Sequence, residues 1–249
     1  MGGRRTYRTK ALVLDTTKLG EQDLIVTLLA DSGAQLRAVA KGARKPGGRL
    51  AARSELFCET DFLIAKGRSL DVVAEASSVN PHEGLRGDLL KVSCASAICE
   101  IARLTCYEDA EDPFLYRICS AALTAAEQAQ SESGLLMLVA GYAFKVLAHS
   151  GWWPQLDSCV ACGDPAVAWF SASAGGLLCE SCARDVAGAQ ELTPGELGWL
   201  RSLLGSTFQR LAAGEAPLGV AALMANLAHV WAATQLDARL RAFEFFLSV

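Results

Sequence analysis

The chain has 249 residues, 51% hydrophobic and 20% charged, a composition that excludes a disordered protein and leaves apolar material for one large or two modest cored domains. Its charge is uneven: residues 1–80 hold 13 Lys/Arg against 9 Asp/Glu, a net of +4, and the remainder 10 against 18, a net of −8 within a formal total of −4. This asymmetry predicts an N-terminal unit that meets a polyanion and an acidic body that does not.

Near the N-terminus, the apolar run Ala11–Leu14 is too short for a secretory h-region, so the expected compartment is the cytoplasm, where thiols stay reduced. The nine cysteines are then read as metal ligands or core residues rather than disulfides. Five short runs rich in Val, Ile, Leu and Phe follow one another, "KALVLD", "DLIVTLLA", "QLRAVAK", "LFCETDFLIA" and "LDVVAEA", separated by "KLGEQ", "DSG", a Gly/Pro loop and "KGRS". They predict a small closed β-barrel over residues 1–80, for which the five-stranded OB-fold is the commonest nucleic-acid-binding candidate.

Within that region lies "RAVAKGARKPGGRLAAR", with Arg37, Lys41, Arg44, Lys45, Arg49 and Arg53 and no acid between Asp31 and Glu55. Most charge runs are simply solvated. Here, however, the two-residue period of "LRAVAK" puts Arg37, Val39 and Lys41 on one strand face, and the Pro46-Gly47-Gly48 turn presents Arg44, Lys45 and Arg49 without bulky neighbours. Lys66 and Arg68 in the next turn, and Arg4, Arg5, Arg8 and Lys10 in the N-terminal arm, would extend a phosphate-binding patch. Tyr7, Phe57 and Phe62 are the only aromatic residues before residue 81, so backbone electrostatics should outweigh base stacking and sequence preference should be weak.

After "SSVNPHEGLR" the pattern turns helical, and residues 81–249 read as a helical domain. "LLKVSCASAICEIARLTCYE" spaces apolar and small residues three and four apart. "DPFLYRICSAALTAAEQA" opens on Asp112 as N-cap and Pro113 in the first turn. The longest apolar-rich stretch, "LLMLVAGYAFKVLAHSGWW" from Leu135, is broken by Lys145 and His149, which makes it a buried helix rather than a membrane span. Thr193 and Glu196 form a capping box before "LGWLRSLLGSTFQRLAAG", and "GVAALMANLAHVWAATQLDARLRAFEFFL" reads as a final long helix or a helix with a frayed tail.

An insertion at about residues 157–186 carries the strongest motif. Cys159 and Cys162, then Cys179 and Cys182 after sixteen residues, give the C-x2-C…C-x2-C spacing of a four-thiolate zinc site. Gly163 eases the first tight turn, and "AWFSASAGGLL" predicts a hairpin leading to the second pair. Four protein ligands fill a tetrahedral ion and leave no position for water activation, so one structural zinc per chain is expected. Cys58, Cys94, Cys99, Cys106 and Cys119 sit among apolar residues and read as core.

Catalytic signals are poor. His82, His149 and His229 stand without a His-x-x-x-His pair or nucleophile elbow, and each reads as a satisfied or surface histidine. From Gly42 a Walker loop would need Lys-Ser/Thr after Gly47, where the chain has Gly48-Arg49. A binding protein is therefore favoured over an enzyme.

The segment "ALVLDTTKLGEQDLIVTLLADSGAQLRAVAKGARKPGGRLAARSELF" resembles the N-terminal domain of the RecO family of bacterial recombination mediators, most characteristically in "GEQDLIVTLL" and "AVAKGARKP". "LAHSGWWPQLDSCVACG", "FSASAGGLLCESCA" and "LTPGEL" resemble the same family's zinc-bearing region, and "LDARLRAFEFFL" its C-terminal helix. The resemblance implies an OB-fold, a helical domain and a zinc finger. It also implies binding of single- and double-stranded DNA and annealing of complementary strands without ATP. Together with RecR, such proteins help RecA displace the single-strand DNA-binding protein, whose acidic C-terminal tail they contact. Arg37, Lys41, Arg44 and Lys45 fall on the family's basic loop, whereas Arg49, Arg53, Lys66 and Arg68 are nominated from charge. Arg103, Arg117 and Lys145 are candidate partners for the acidic tail. Family members are often more basic at the C-terminal helix than this chain, which has Arg239 and Arg241 before "AFEFF", and no DNA role is assigned there. Two readings from other classes compete: a barrel-plus-zinc adaptor for RNA or a transcription or ribosomal complex, and a thiol oxidoreductase using the cysteine pairs.

Overall fold

The computed structural model describes residues 5–45, 47–48 and 50–249; Arg4, Pro46 and Arg49 lie outside them. The residues group into two compact units, 1–127 and 128–249.

In the first unit, five strands, β1 (Thr6–Leu19), β2 (Asp23–Ala30), β3 (Gln35–Ala40), β4 (Glu59–Ala65) and β5 (Asp71–Asn80), close into a barrel in the order β1-β2-β3-β5-β4. This is the OB-like barrel expected from the sequence. Neighbours pair antiparallel except β3 and β5, which run parallel through Ala38–Asp71 and Val39–Val72. Alternate residues fill the interior: Ala11 and Val13, Val26 and Leu28, Ala38 and Ala40, Phe62 and Ile64. Leu12, Leu14 and Leu29 point to the opposite face of their strands yet are also buried. Helix α1 (Leu89–Thr105) packs on β1 and β2, which is why "ALVL" is continuously apolar rather than alternating.

Asp88 caps α1 by accepting from the amides of Leu90 and Lys91, and α2 (Pro113–Gln128) begins where the Asp112 carboxylate accepts from the Phe114 amide. Both helices group with the barrel. Gly33, at φ +89°, makes the β2–β3 turn in close contact with the loop before α2. An added Cβ there would come within 1.9 Å of the Asp112 carbonyl oxygen, so no other residue fits. Arg86 clasps the barrel end, donating to the carbonyls of Pro81 and Leu56 and pairing with Glu55 at 3.3 Å. His82 is fully buried, with its Nδ1 2.9 Å from a Glu127 oxygen. His149 is exposed, and His229 lies edge-on to Phe243.

The second unit is built around α3 (Glu132–His149), where residues 133–144 are buried without a break, as expected of an apolar stretch surrounded on all sides. Against it pack α5 (Pro194–Gly205), α6 (Phe208–Ala212) and α7 (Leu218–Leu236). The Thr193–Glu196 capping box is formed in full at the start of α5. Between α3 and α5 the chain makes β6 (Trp169–Ser171), β7 (Gly176–Leu178), the short helix α4 (Glu180–Ala183) and β8 (Gln190–Glu191). The three strands form one small sheet in the order β7-β6-β8. Phe144, Trp231 and Phe170 join α3, α7 and β6, with ring centroids 5.9–6.2 Å apart. Among the described residues, no helix is long and apolar enough to cross a membrane.

The final segment departs from a single long helix. Asp237 adopts the left-handed conformation at φ +46°, and the Ala238 amide turns back to the Ala233 carbonyl, which ends α7. A separate helix α8 (Arg241–Phe246) follows and turns Leu240, Phe243 and Phe246 inward, with the Arg239–Glu244 ion pair at its start.

Phe62→Ala, which empties the centre of the barrel, is expected to cost about 3–5 kcal/mol, read as a lower denaturant midpoint. Burial by itself would raise the Glu127 carboxyl, but the hydrogen bonds from His82 and the Gly84 amide outweigh it and hold it below the usual carboxylate range. Its contribution to stability is therefore present above the unfolded value of 4.5 and lost as pH falls through the lower folded value. Glu127→Gln should flatten that acid limb in melts between pH 5 and pH 3.

Candidate nucleic-acid interface and metal centre

The basic stretch leaves β3 alongside β5, because the two strands are parallel and their pairing ends at Val39–Val72. Beyond that pair β5 keeps its β4 partner, with Ile64 opposite Val73 and Phe62 opposite Ala76, but on its other side meets a loop instead of a strand. The result is an open groove of about 760 Å³, floored by Val73–Ala76 and walled by Lys41, Gly42, Lys45, Gly48, Leu50 and Arg53. Gln22 and Asp23 complete the lining, and the floor contributes the carboxylate of Glu75.

The loop is tightly wound. Gly42 sits at φ +66°, its amide donating to the Asp23 carboxylate at 2.8 Å, and the amides of Lys45 and Gly48 turn back to the carbonyls of Gly42 and Lys45. A Cβ on Gly48 would lie 2.7 Å from the Gly42 carbonyl oxygen, so a glycine is required for this close approach.

The nominated residues separate into groups. Lys41, Lys45 and Arg53 line the groove together, and the first two are exposed. Arg37 is exposed on the outer face of β3, beside the Ala38–Asp71 pair and near the turn that carries exposed Arg68. Among the described residues, Arg37, Lys41, Lys45 and Arg68 have no carboxylate within ion-pair distance. Lys66 does: its Nζ is 3.1 Å from Asp71 and 4.7 Å from the centre of the Tyr7 ring. The Tyr7 hydroxyl donates to the same carboxylate at 2.8 Å. Arg44 is exposed, but its guanidinium donates to the carbonyls of Gly20 and Glu21 at 3.2 and 2.9 Å. Arg8 lies 4.0 Å from Glu75, and Lys145 is half-buried, its ammonium donating to the Leu204 carbonyl. Arg49 is outside the described residues.

Sequence reasoning missed Gln22, Asp23 and Glu75. They come from a turn and a strand far from the basic stretch, and no local period marks them as groove residues.

In the second unit the four Sγ atoms of Cys159, Cys162, Cys179 and Cys182 lie within 4.8 Å of one another. The predicted hairpin is present as β6 and β7, and it returns the chain so that Cys179 follows β7 directly. Each pair closes a tight turn: the Gly163 amide donates to the Cys159 carbonyl with Gly163 at φ +79°, and the Ala183 amide to that of Cys179. Behind the thiols lies a small apolar cluster of Cys159, Leu178, Cys179 and Ala183, flanked by Val167, Trp169 and Val186.

The donor set suits a thiophilic cation. Hydrogen bonds from the backbone amide of Cys179, and then those of Cys162 and Ala161, bring the Cys159 thiol down to about 6 against the opposing effect of its burial. The same crowding pushes Cys182 up to about 12, through its contacts with Cys179, Cys162 and Cys159. Four thiolates this close cannot ionise together unless positive charge sits among them. The arrangement is compatible with a four-thiolate zinc site. Cys58, Cys94, Cys99, Cys106 and Cys119 are all buried, and burial pushes the Cys106 thiol up to about 11. All five are therefore core residues rather than members of the metal cluster.

Comparison with known proteins agrees with both halves of this description. The family described as "Recombination protein O N terminal" matches residues 4–82, and "Recombination protein O C terminal" matches residues 86–241. A protein of Bifidobacterium animalis subsp. lactis named DNA repair protein RecO is 41% identical over 175 residues, covering 70% of this chain and 72% of its own length. Proteins of the same name from Bifidobacterium longum subsp. infantis and a Nocardioides species are 37% and 34% identical over 201 and 207 residues, each covering 80% of this chain and 82% of their own. With both family regions matched in order and the barrel and cysteine cluster in place, the chain belongs to the recombination protein O family of DNA repair proteins.

Proposed function

We propose that this chain binds the sugar-phosphate backbone of single- and double-stranded DNA on its barrel and promotes annealing of complementary strands without nucleotide hydrolysis. The observation that carries this reading is the convergence of Lys41, Lys45 and Arg53 on one groove, with Arg37 and Arg68 exposed on the same β3–β5 side. Annealing follows from charge. A cationic surface that neutralises phosphates of two strands lowers their mutual repulsion and lets bases find their complements. No aromatic residue lines the groove among the described residues, and Tyr7 is held by Asp71 and Lys66, so stacking contributes little and binding has weak sequence preference.

In the cell the chain would act with RecR to load RecA onto DNA coated by the single-strand-binding protein, on the nucleoid, engaging that protein's acidic tail through its helical part. Family membership supports these partners. The cysteine cluster is assigned to one structural zinc held by Cys159, Cys162, Cys179 and Cys182. Full tetrahedral ligation leaves its role as a scaffold for a three-stranded element with little core of its own.

If about five phosphates of a single strand are contacted, log K falls with log salt at a slope of about −3.5, and raising salt fourfold weakens binding by about 100-fold. The triple variant Arg37→Glu, Lys41→Glu, Lys45→Glu should lose annealing of complementary oligonucleotides while its stability stays within about 0.5 kcal/mol of the parent, since the three are exposed. A folded triple variant that anneals normally would defeat the assignment. Structured RNA that outcompetes single-stranded DNA would transfer the groove to an RNA adaptor. Purified protein should carry one zinc per chain, and Cys159→Ser should lose the metal and melt earlier; a variant that melts like the parent rules out a structural metal.

A further inference from the structure

Of the two carboxylates in the groove lining, Asp23 and Glu75, the first makes contacts that bear on the cationic loop. Asp23 lines the groove beside Lys41 and Lys45, and on charge alone it repels a phosphate. Its Oδ1, however, accepts from the Gly42 amide at 2.8 Å, at the point where the chain turns out of β3. Two residues on, the Arg44 amide donates to the Gln22 carbonyl at 3.0 Å, and the Arg44 guanidinium to the carbonyls of Gly20 and Glu21. Every one of these bonds joins the β1–β2 turn or the first residue of β2 to the loop after β3. Directly flanking the anchored segment 42–44 stand Lys41 and Lys45, the two exposed lysines of the groove wall.

We propose that Asp23 and Arg44 are positioning residues that staple the cationic loop to the β1–β2 turn, so that the carboxylate in the groove favours polyanion binding instead of opposing it. This rests on the reading of the groove as a phosphate site. A Gly-rich loop is costly to order, because glycine loses the most backbone freedom. With the staple formed, that ordering is complete before DNA arrives, and Lys41 and Lys45 meet phosphates without further loss of loop entropy. Arg44, whose Nη1 is engaged by two backbone carbonyls, serves here as an anchor of the loop and not as a phosphate contact.

Two substitutions at Asp23 separate charge from position. Asp23→Asn removes the charge and keeps an oxygen that accepts from Gly42; Asp23→Ala removes both. Binding of a fluorescent oligothymidylate at fixed salt is expected to be at least as tight as the parent for Asp23→Asn. For Asp23→Ala it should be about threefold to tenfold weaker, the effect of one lost hydrogen bond. If Asp23→Ala binds as tightly as Asp23→Asn, only charge mattered and the staple is overturned. Amide exchange in the free protein gives an independent reading. Gly42 should be protected in the parent and in Asp23→Asn and exchange rapidly in Asp23→Ala; continued protection in Asp23→Ala also overturns it.

Arg44→Met should weaken binding while leaving the salt slope unchanged. A slope smaller by about 0.7 would make Arg44 a direct phosphate contact and refute its positioning role. If Lys41→Gln and Lys45→Gln leave affinity unaltered, the phosphate reading of the groove fails instead, and Gly42 exchange still reports on the staple by itself.

Discussion

The barrel closes through a parallel seam of two residue pairs, Ala38–Asp71 and Val39–Val72, and the basic surface depends on that seam being short. Antiparallel partners are joined by tight turns and stay paired to the turn, whereas a parallel pair ends wherever one chain is diverted. Here β3 is diverted at Gly42, while β5 runs on to Asn80 with β4 at its other edge. The unpaired stretch of β5 and the diverted loop become floor and wall of one groove. A longer seam would have filled that space with strand and left Lys41 and Lys45 as isolated surface charges.

The second unit solves a different physical problem. Its sheet of three- and two-residue strands cannot support itself by hydrogen bonds and area alone. Two sources of order act on it from opposite sides. The aromatic contacts of Phe170 with Phe144 and Trp231 fix β6 to the helices. The four-cysteine cluster ties the beginning and end of the element to one point. The amides directed at Cys159 favour its thiolate, the form in which a cysteine ligates a metal.

The electrostatics are less simple than a charge tally suggests. Of the cations around the barrel, Lys66 is neutralised by Asp71, Arg8 faces Glu75, and Arg44 is bound to carbonyls. Among the described residues, Arg37, Lys41, Lys45 and Arg68 are exposed with no carboxylate at ion-pair distance. In the proposed reading, the staple at Asp23 and Arg44 would order the loop before binding, so that few cations suffice.

The sequence by itself determined the elements whose signals are local. Alternation in "LRAVAK" revealed the exposed face of β3, capping residues Asp112, Thr193 and Glu196 marked helix starts, and C-x2-C repeated across sixteen residues announced the thiol cluster, because a period, a cap and a knuckle are each written within a few residues. The break of the last helix at Asp237 was not legible, since nothing local forbids the helix there and the turn is dictated by burial of Leu240, Phe243 and Phe246. Nor could the sequence sort its own cations. Whether Lys66 or Arg44 is free or engaged depends on Asp71 and on the Gly20–Gln22 turn, which only the barrel's closure and register bring alongside them. Pairing between distant segments is a property of tertiary packing, and the groove, its carboxylates and its usable charges were decided there.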